Sequence, residues 1–197
     1  MPVTCLDERT ALVVIDIQRS VIGLQTFQPT AGVVERCSRL AKSFREAAKP
    51  VVLVNVEWRP EIMLQPRADT KPPPRTPTPD FAKLADELEA DPAADIFITK
   101  RQWGAFYGTE LDLQLRRRKV TGIVMCGIAT SIGVESTARD AFERGYNLTF
   151  ASDAMTDLFE DAHRNALDRI FPRIGEIGTT DEIIARLRAG RSVTTAD

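Results

Sequence analysis

From residue 10 to residue 178, apolar runs of five to eight residues alternate with longer stretches of helical pattern, and this alternation leaves few folds open. The runs are "TALVVID" (10–16), "PVVLVNV" (50–56), "DIFITK" (95–100), "VTGIVMCG" (120–127), "NLTFASD" (147–153) and "IGEIG" (174–178). Runs of this kind offer water little polar surface, so they suit strands covered on both faces. Parallel strands joined by helical crossovers meet that need. The expected fold class is therefore α/β, a three-layer α/β/α domain around a six-stranded parallel sheet of Rossmann-like type. Between the first two runs, Val33, Cys37, Leu40, Ala41, Phe44 and Ala48 recur at helical spacing and predict one apolar stripe. Val134, Thr137, Ala138, Ala141 and Phe142 predict a second, with Gly145 as its C-terminal cap.

The 197 residues fit one domain over the full range 1–197, and no linker or internal repeat divides them. Residues 60–79 are the irregular segment, holding seven of the 12 prolines. Proline lacks a backbone donor, so this segment reads as a surface loop, either a lid or a partner contact. A net charge of −2 with interspersed signs supplies no basic face, which argues against nucleic acid and membrane partners and for a small-molecule substrate. "MPVTCLDERT" lacks an apolar signal core, and the chain reads as cytoplasmic. Cys5, Cys37 and Cys126 are odd in number and lack CxxC spacing, so no disulfide framework or zinc site is indicated. The single histidine, His163, excludes sites that need two imidazoles.

Ligands of an open parallel sheet bind beyond the carboxyl ends of its strands, near the switch in strand order. Three features are expected there: Asp16 closing the first strand, Lys100 closing the third, and the turn in "VMCGIATSIGVESTARDAF" (124–142) that opens a helix after the fourth. Asp16 follows four apolar residues, where ionisation is costly without a partner. Lys100 has the reach to cross a neighbouring strand and pair with it. The free amides and dipole of a helix entrance favour negative charge there. The bland alternatives are a cap for Asp16 and a solvated side chain for Lys100. Arg101 and Gln102 read as solvated residues or as contacts for a substrate carboxylate. Trp58, Trp103, Phe106 and Tyr107 read equally as pocket wall, subunit contact or core. His163 reads as structural or surface, and Cys126 as a buried structural thiol. No GxGxxG or GxxxxGK[ST] follows the first strand, so a nucleotide-binding Rossmann protein is disfavoured.

With Asp16, Lys100 in "ITKRQWGAFYGTEL" and the block "GIATSIGVESTARDA" (127–141) in view, the chain resembles the isochorismatase-like hydrolase, or cysteine hydrolase, superfamily. "ASDAMTD" and "GTTDEII" share that look. The resemblance implies a catalytic pair of Asp16 and Lys100, and an oxyanion and substrate-binding turn at Ile128, Ala129, Thr130 and Gly133 with a cis peptide at Ile128–Ala129. It also puts Gly133 where many members carry their nucleophilic cysteine. The isochorismatases proper have glycine there and cleave a vinyl ether without a covalent intermediate, the Asp supplying the proton. They carry a Tyr-Ala-His run where this chain has Ala129-Thr130-Ser131. The Asp-x-His metal pattern of the nicotinamidases falls on Glu57 and Arg59, and arginine does not ligate metals. No metal and no cofactor is expected, and homo-oligomers, dimers or tetramers, are common in the family. Two functions follow: a hydrolase of a small metabolite using Asp16 with Lys100 and no thiol, or a catalytically inactive homologue that binds a ligand or partner. A general acid must keep its proton near neutral pH, so for the first reading burial of Asp16 must outweigh the nearby cation.

Overall fold

A computed structural model of the chain describes residues 3–70 and 78–192. Its six strands are β1 (Thr10–Ile15), β2 (Val51–Val56), β3 (Ile96–Lys100), β4 (Gly122–Ile128), β5 (Asn147–Thr156) and β6 (Glu176–Gly178). Every pairing is parallel and the order is β3-β2-β1-β4-β5-β6. Order therefore reverses between β1 and β4, which places the crevice of the sheet at the ends of those two strands.

Successive residues of β1 face opposite layers, as the twofold period of a strand requires. Leu12 and Val14 join one core with α2 (Thr30–Glu46) and α6 (Thr180–Ser192), while Ala11, Val13 and Ile15 join the other with α3 (Leu111–Arg117) and α4 (Glu135–Glu143). The expected three-layer α/β sheet is present. On α2 the stripe of Val33, Cys37, Leu40, Ala41 and Phe44 is buried as its spacing predicted. Each large side chain in it gains roughly 1.5–3 kcal/mol by leaving water. Ala48 falls outside the stripe, because the helix ends at Glu46 and Ala48 is exposed in a left-handed turn with φ 53°. Phe142 also departs from expectation: it is 46% exposed, since Val134, Ala138 and Ala141 already fill the sheet-facing side of α4. Gly145 follows α4 with φ 79°, the left-handed stop expected of it.

Two short helices, α1 (Arg19–Ile22) and α5 (Glu160–Asn165), lie just beyond the carboxyl ends of β1 and β5. Among the described residues between Val56 and Asp86 the chain forms turns and one isolated bridge, Gln18 to Leu84. Of the expected loop at 60–79, residues 71–77 lie outside the described residues. Among the described residues no helix is long and apolar enough to cross a membrane.

Candidate active site

Asp16 leaves β1 in a left-handed conformation, φ 53°, with its amide donating to the carbonyl of Val54 at 2.9 Å. Aspartate tolerates this backbone better than most residues. Lys100 ends β3 on the same face as Ile96 and Ile98, the face covered by helices, so its stem is buried and its amine passes β2 to reach Asp16. Lys100 Nζ lies 2.8 Å from Asp16 Oδ2 and donates to the carbonyl of Trp103 at 2.8 Å. Both residues are buried, at 2% and 6% exposure. The solvated alternative for Lys100 is thereby excluded.

Two opposing effects set the state of Asp16. At 2.8 Å the gross attraction to the ammonium is about 6 kcal/mol at an effective dielectric near 20. The cost of taking a carboxylate out of water is also several kcal/mol. Burial wins: it raises the Asp16 carboxyl from an ordinary 3.8 to about 6, against the lowering by the charge and hydrogen bond of Lys100. Despite the near cation, the carboxyl therefore holds its proton to higher pH than an ordinary aspartate. Asp16 Oδ1, the oxygen turned away from Lys100, is buried and has no hydrogen-bond partner among the described residues.

The third component arrives from β4. Gly127 has φ 125°, and a Cβ there would lie 2.1 Å from the carbonyl oxygen of Ile15, so only glycine lets β4 run this close to the end of β1. The next peptide, Ile128–Ala129, is cis, at the bond expected from the resemblance. A wide π-type turn, Thr130–Val134, then leads into α4. It puts Gly133 beside the ion pair: a Cβ on Gly133 would stand 3.2 Å from Lys100 Nζ, 3.3 Å from Asp16 Oδ2 and 3.0 Å from Ile15 Cγ2. Asp16, Lys100 and Gly133 thus meet at one point, with Ile128 and Thr130 buried in the turn and Ala129 partly so.

Buried polar residues to which sequence reasoning assigned no part in the site, Gln18 and Asp157 unremarked, Thr137 read as helix stripe and His163 as structural or surface, surround this arrangement. Gln18 is fully buried, donating through Nε2 to the carbonyls of Val56 and Phe81 and accepting from the amide of Val56 at 2.7 Å. Its signal was an amide two residues after Asp16, where the first apolar run gives way to Arg19 and Ser20. Asp157, 1% exposed, accepts from the amide of Ser131 at 2.6 Å and of Leu158 at 2.7 Å. Thr137 donates to the carbonyl of Gly133 at 2.6 Å and accepts from the amide of Ala105 at 3.0 Å. His163 is not at the surface: it is 5% exposed, with Nδ1 2.8 Å from the hydroxyl of Thr130.

The remaining candidates divide. Phe106 is core, Trp103 and Tyr107 are 65% and 59% exposed, and Trp58 is half-buried. Arg101 pairs with Glu57 at 2.8 Å, which also contacts Arg59 at 3.5 Å, so the positions of the metal pattern are occupied by mutually neutralising charges. Gln102 donates weakly to the carbonyl of Leu64 at 3.4 Å. Cys126 is buried within β4 and Cys37 beside it on α2. Burial and the neighbouring thiol push the Cys37 thiol well above its ordinary range, which suits an inert structural thiol.

A three-layer sheet with an acid, a lysine and a helix entrance at its switch point has the isochorismatase-family hydrolase fold. Residues 10–182 match the Isochorismatase domain, and the chain belongs to that family. It is 45% identical over 186 residues to the isochorismatase family protein YecD of Escherichia coli O157:H7, covering 90% of this chain and 96% of that one. An isochorismatase family protein from Burkholderia thailandensis superposes with a TM-score of 0.90 at 41% identity, over 95% of this chain and 99% of the other. Similarity extends to the ureidoacrylate amidohydrolase RutB of Methylobacterium radiotolerans, 31% identical over 86% of this chain and 76% of that protein.

Proposed function

We propose that the protein hydrolyses a small metabolite with Asp16 as general acid and base, Lys100 as its charged partner, and no covalent thiol. The observation that carries this reading is Asp16 Oδ1, a buried and unpartnered carboxyl oxygen on a residue whose pKa stands at about 6. Such a group keeps a protonated fraction closer to neutral pH than an ordinary aspartate does, and has a free oxygen from which to deliver the proton. Lys100 is pinned by Asp16 Oδ2 and the Trp103 carbonyl, so it fixes which oxygen is left to react. The resemblance puts Gly133 at the nucleophile position, and glycine supplies no sulfur.

The chemistry that fits is cleavage of a vinyl ether. Asp16 transfers its proton to the terminal alkene carbon, the double-bond pair forms the new C–H bond, and positive charge is left on the ether carbon and oxygen. Water adds to that carbon while the Asp16 carboxylate takes one of its protons, which restores the aspartic acid. The hemiketal then collapses to a ketone and an alcohol as the C–O bond breaks, the proton of its hydroxyl passing to the leaving oxygen. Backbone donors of the 128–133 turn and Lys100 hold the substrate oxygens.

A panel of vinyl ethers, linear amides and carbamoyl compounds tests the reading. One vinyl ether turned over by the wild type and lost by 10³-fold or more on Asp16→Asn supports it, a size on the order expected for removing a general acid. Equal rates for the two proteins on every substrate hydrolysed would end it. A compound that raises the melting temperature and is recovered unchanged would instead support the ligand-binding alternative.

A further inference from the structure

Thr130 is fully buried at the start of the turn that carries Gly133, and its hydroxyl has two partners: the carbonyl of Thr156 at 3.1 Å and Nδ1 of His163 at 2.8 Å. A hydroxyl has one hydrogen to give. If it donates to Thr156, the imidazole must carry a hydrogen on Nδ1 and donate it to Thr130. That assignment satisfies all three groups, whereas the other tautomer leaves the Thr156 carbonyl without this donor. The His163 ring is held in place by Phe27, with ring centroids 4.9 Å apart, and by burial on the inner side of α5, the helix that bears it. A second strut, Asp157, grips the next amide of the turn at Ser131. Neither His163 nor Asp157 is among the residues that meet at the Asp16–Lys100 pair.

We propose that His163 is a positioning residue for the Asp16–Lys100–Gly133 site, acting through Thr130 by a relay from imidazole Nδ1–H to the Thr130 hydroxyl to the Thr156 carbonyl. The inference rests on the function proposed above only where it concerns rate; the relay itself is a property of the folded protein. The turn bears Gly133 where a Cβ would stand 3.2 Å from Lys100 Nζ and 3.3 Å from Asp16 Oδ2. A shift of this turn therefore changes how Asp16 is buried as well as where the backbone donors stand. Burial, with Arg164 acting in the same direction, lowers the imidazole pKa against the opposing pull of Asp157, Asp168 and Glu160, which favours the neutral ring near pH 7.

The sequence contains one histidine, so nitrogen NMR of uniformly labelled protein reads its tautomer without overlap. The expected result is a single neutral Nδ1–H form. Thr130→Val should release that preference, move the backbone amide signals of residues 129–133, and displace the Asp16 carboxyl titration by about half a pH unit or more. Thr130→Ser should restore all three. Tyr146→Phe, which removes a hydrogen bond to Asp112 at the far end of the sheet, should move none of them. On any substrate that the wild type turns over, His163→Ala and Thr130→Val should lower kcat about 10- to 100-fold with KM within about threefold, as expected for misplaced donors. An Nε2–H tautomer, or Thr130→Val leaving the turn amides and the Asp16 titration unchanged, overturns the proposal. Loss of the function reading, with Asp16→Asn fully active, leaves the NMR result standing and is thus a separate failure.

Discussion

Asp16 concentrates the physical argument at the scale of single residues. Its pKa of about 6, above the ordinary 3.8, means the folded state holds the proton more tightly than the unfolded chain. By linkage, its favourable contribution is complete below pH 3.8 and is lost as the pH rises through about 6. The swing is about 3 kcal/mol. As a general acid it should give kcat/KM that falls as pH rises through about 6, and Lys100→Met should move that midpoint upward, because the cation is what lowers it. A profile that climbs through the same range would show the carboxylate acting as base in the limiting step. His163 has the opposite sign: its pKa is lowered by burial, so its contribution is full above the ordinary 6.5 and fades as pH falls below it. At Gly133 an added methyl meets Ile15, Lys100 and Asp16 at 3.0–3.3 Å, and two of those three are locked to each other. Gly133→Ala should therefore leave the melting transition within about 1 kcal/mol of wild type, the helical gain over glycine offsetting the crowding, while wedging the site and reducing turnover at least about tenfold. Thermal unfolding and steady-state rates on the same preparation check both halves.

Elements converge on the site because β4 passes unusually close to β1 at the point where strand order reverses. Gly127 makes this possible, and Gly127→Ala should destabilise by at least about 3 kcal/mol or prevent folding, since its Cβ would overlap the Ile15 backbone. Denaturant unfolding measures it; a small change would mean that β4 can draw back. The central strands β1 and β4 were legible from apolar runs because they are buried on both faces and leave few polar positions to blur the pattern. The stripe of α2 was legible for the same reason, up to Ala48, where the chain leaves the helix and periodicity no longer applies. Phe142 was misplaced because spacing gives a face of α4 but not its width. Asp16 and Lys100 stood out as charges at the ends of apolar runs. Gln18, Asp157 and His163 did not, because a buried polar residue is told from a solvated one by its partners, and those come from segments far away in sequence.

At the scale of the molecule, two cores sandwich one sheet, and among the described residues specific ion pairs tie its layers together. Arg45 on α2 grips Asp95, just before β3, through Nε at 2.9 Å and Nη2 at 2.7 Å, with the carboxyl fully buried. Asp95→Ala leaves the guanidinium facing the carbonyl of Leu88 alone and should cost about 2–4 kcal/mol, read from the denaturant midpoint. Because β3 also delivers Lys100, this variant should perturb the site more than its distance suggests, and Lys100→Met should show the converse coupling in a double-mutant cycle. The family is evident from the residues at the strand ends together with the turn, whereas the reaction depends on how burial and charge balance at one carboxyl, which no spacing in a sequence reports. That balance is directly measurable. Carbon NMR of the side-chain carboxyls, with Asp16→Asn to assign the signal, should give a titration midpoint for Asp16 near 6; a midpoint at or below the ordinary 3.8 would show that Lys100 prevails over burial, and the acid at the centre of this account would not exist.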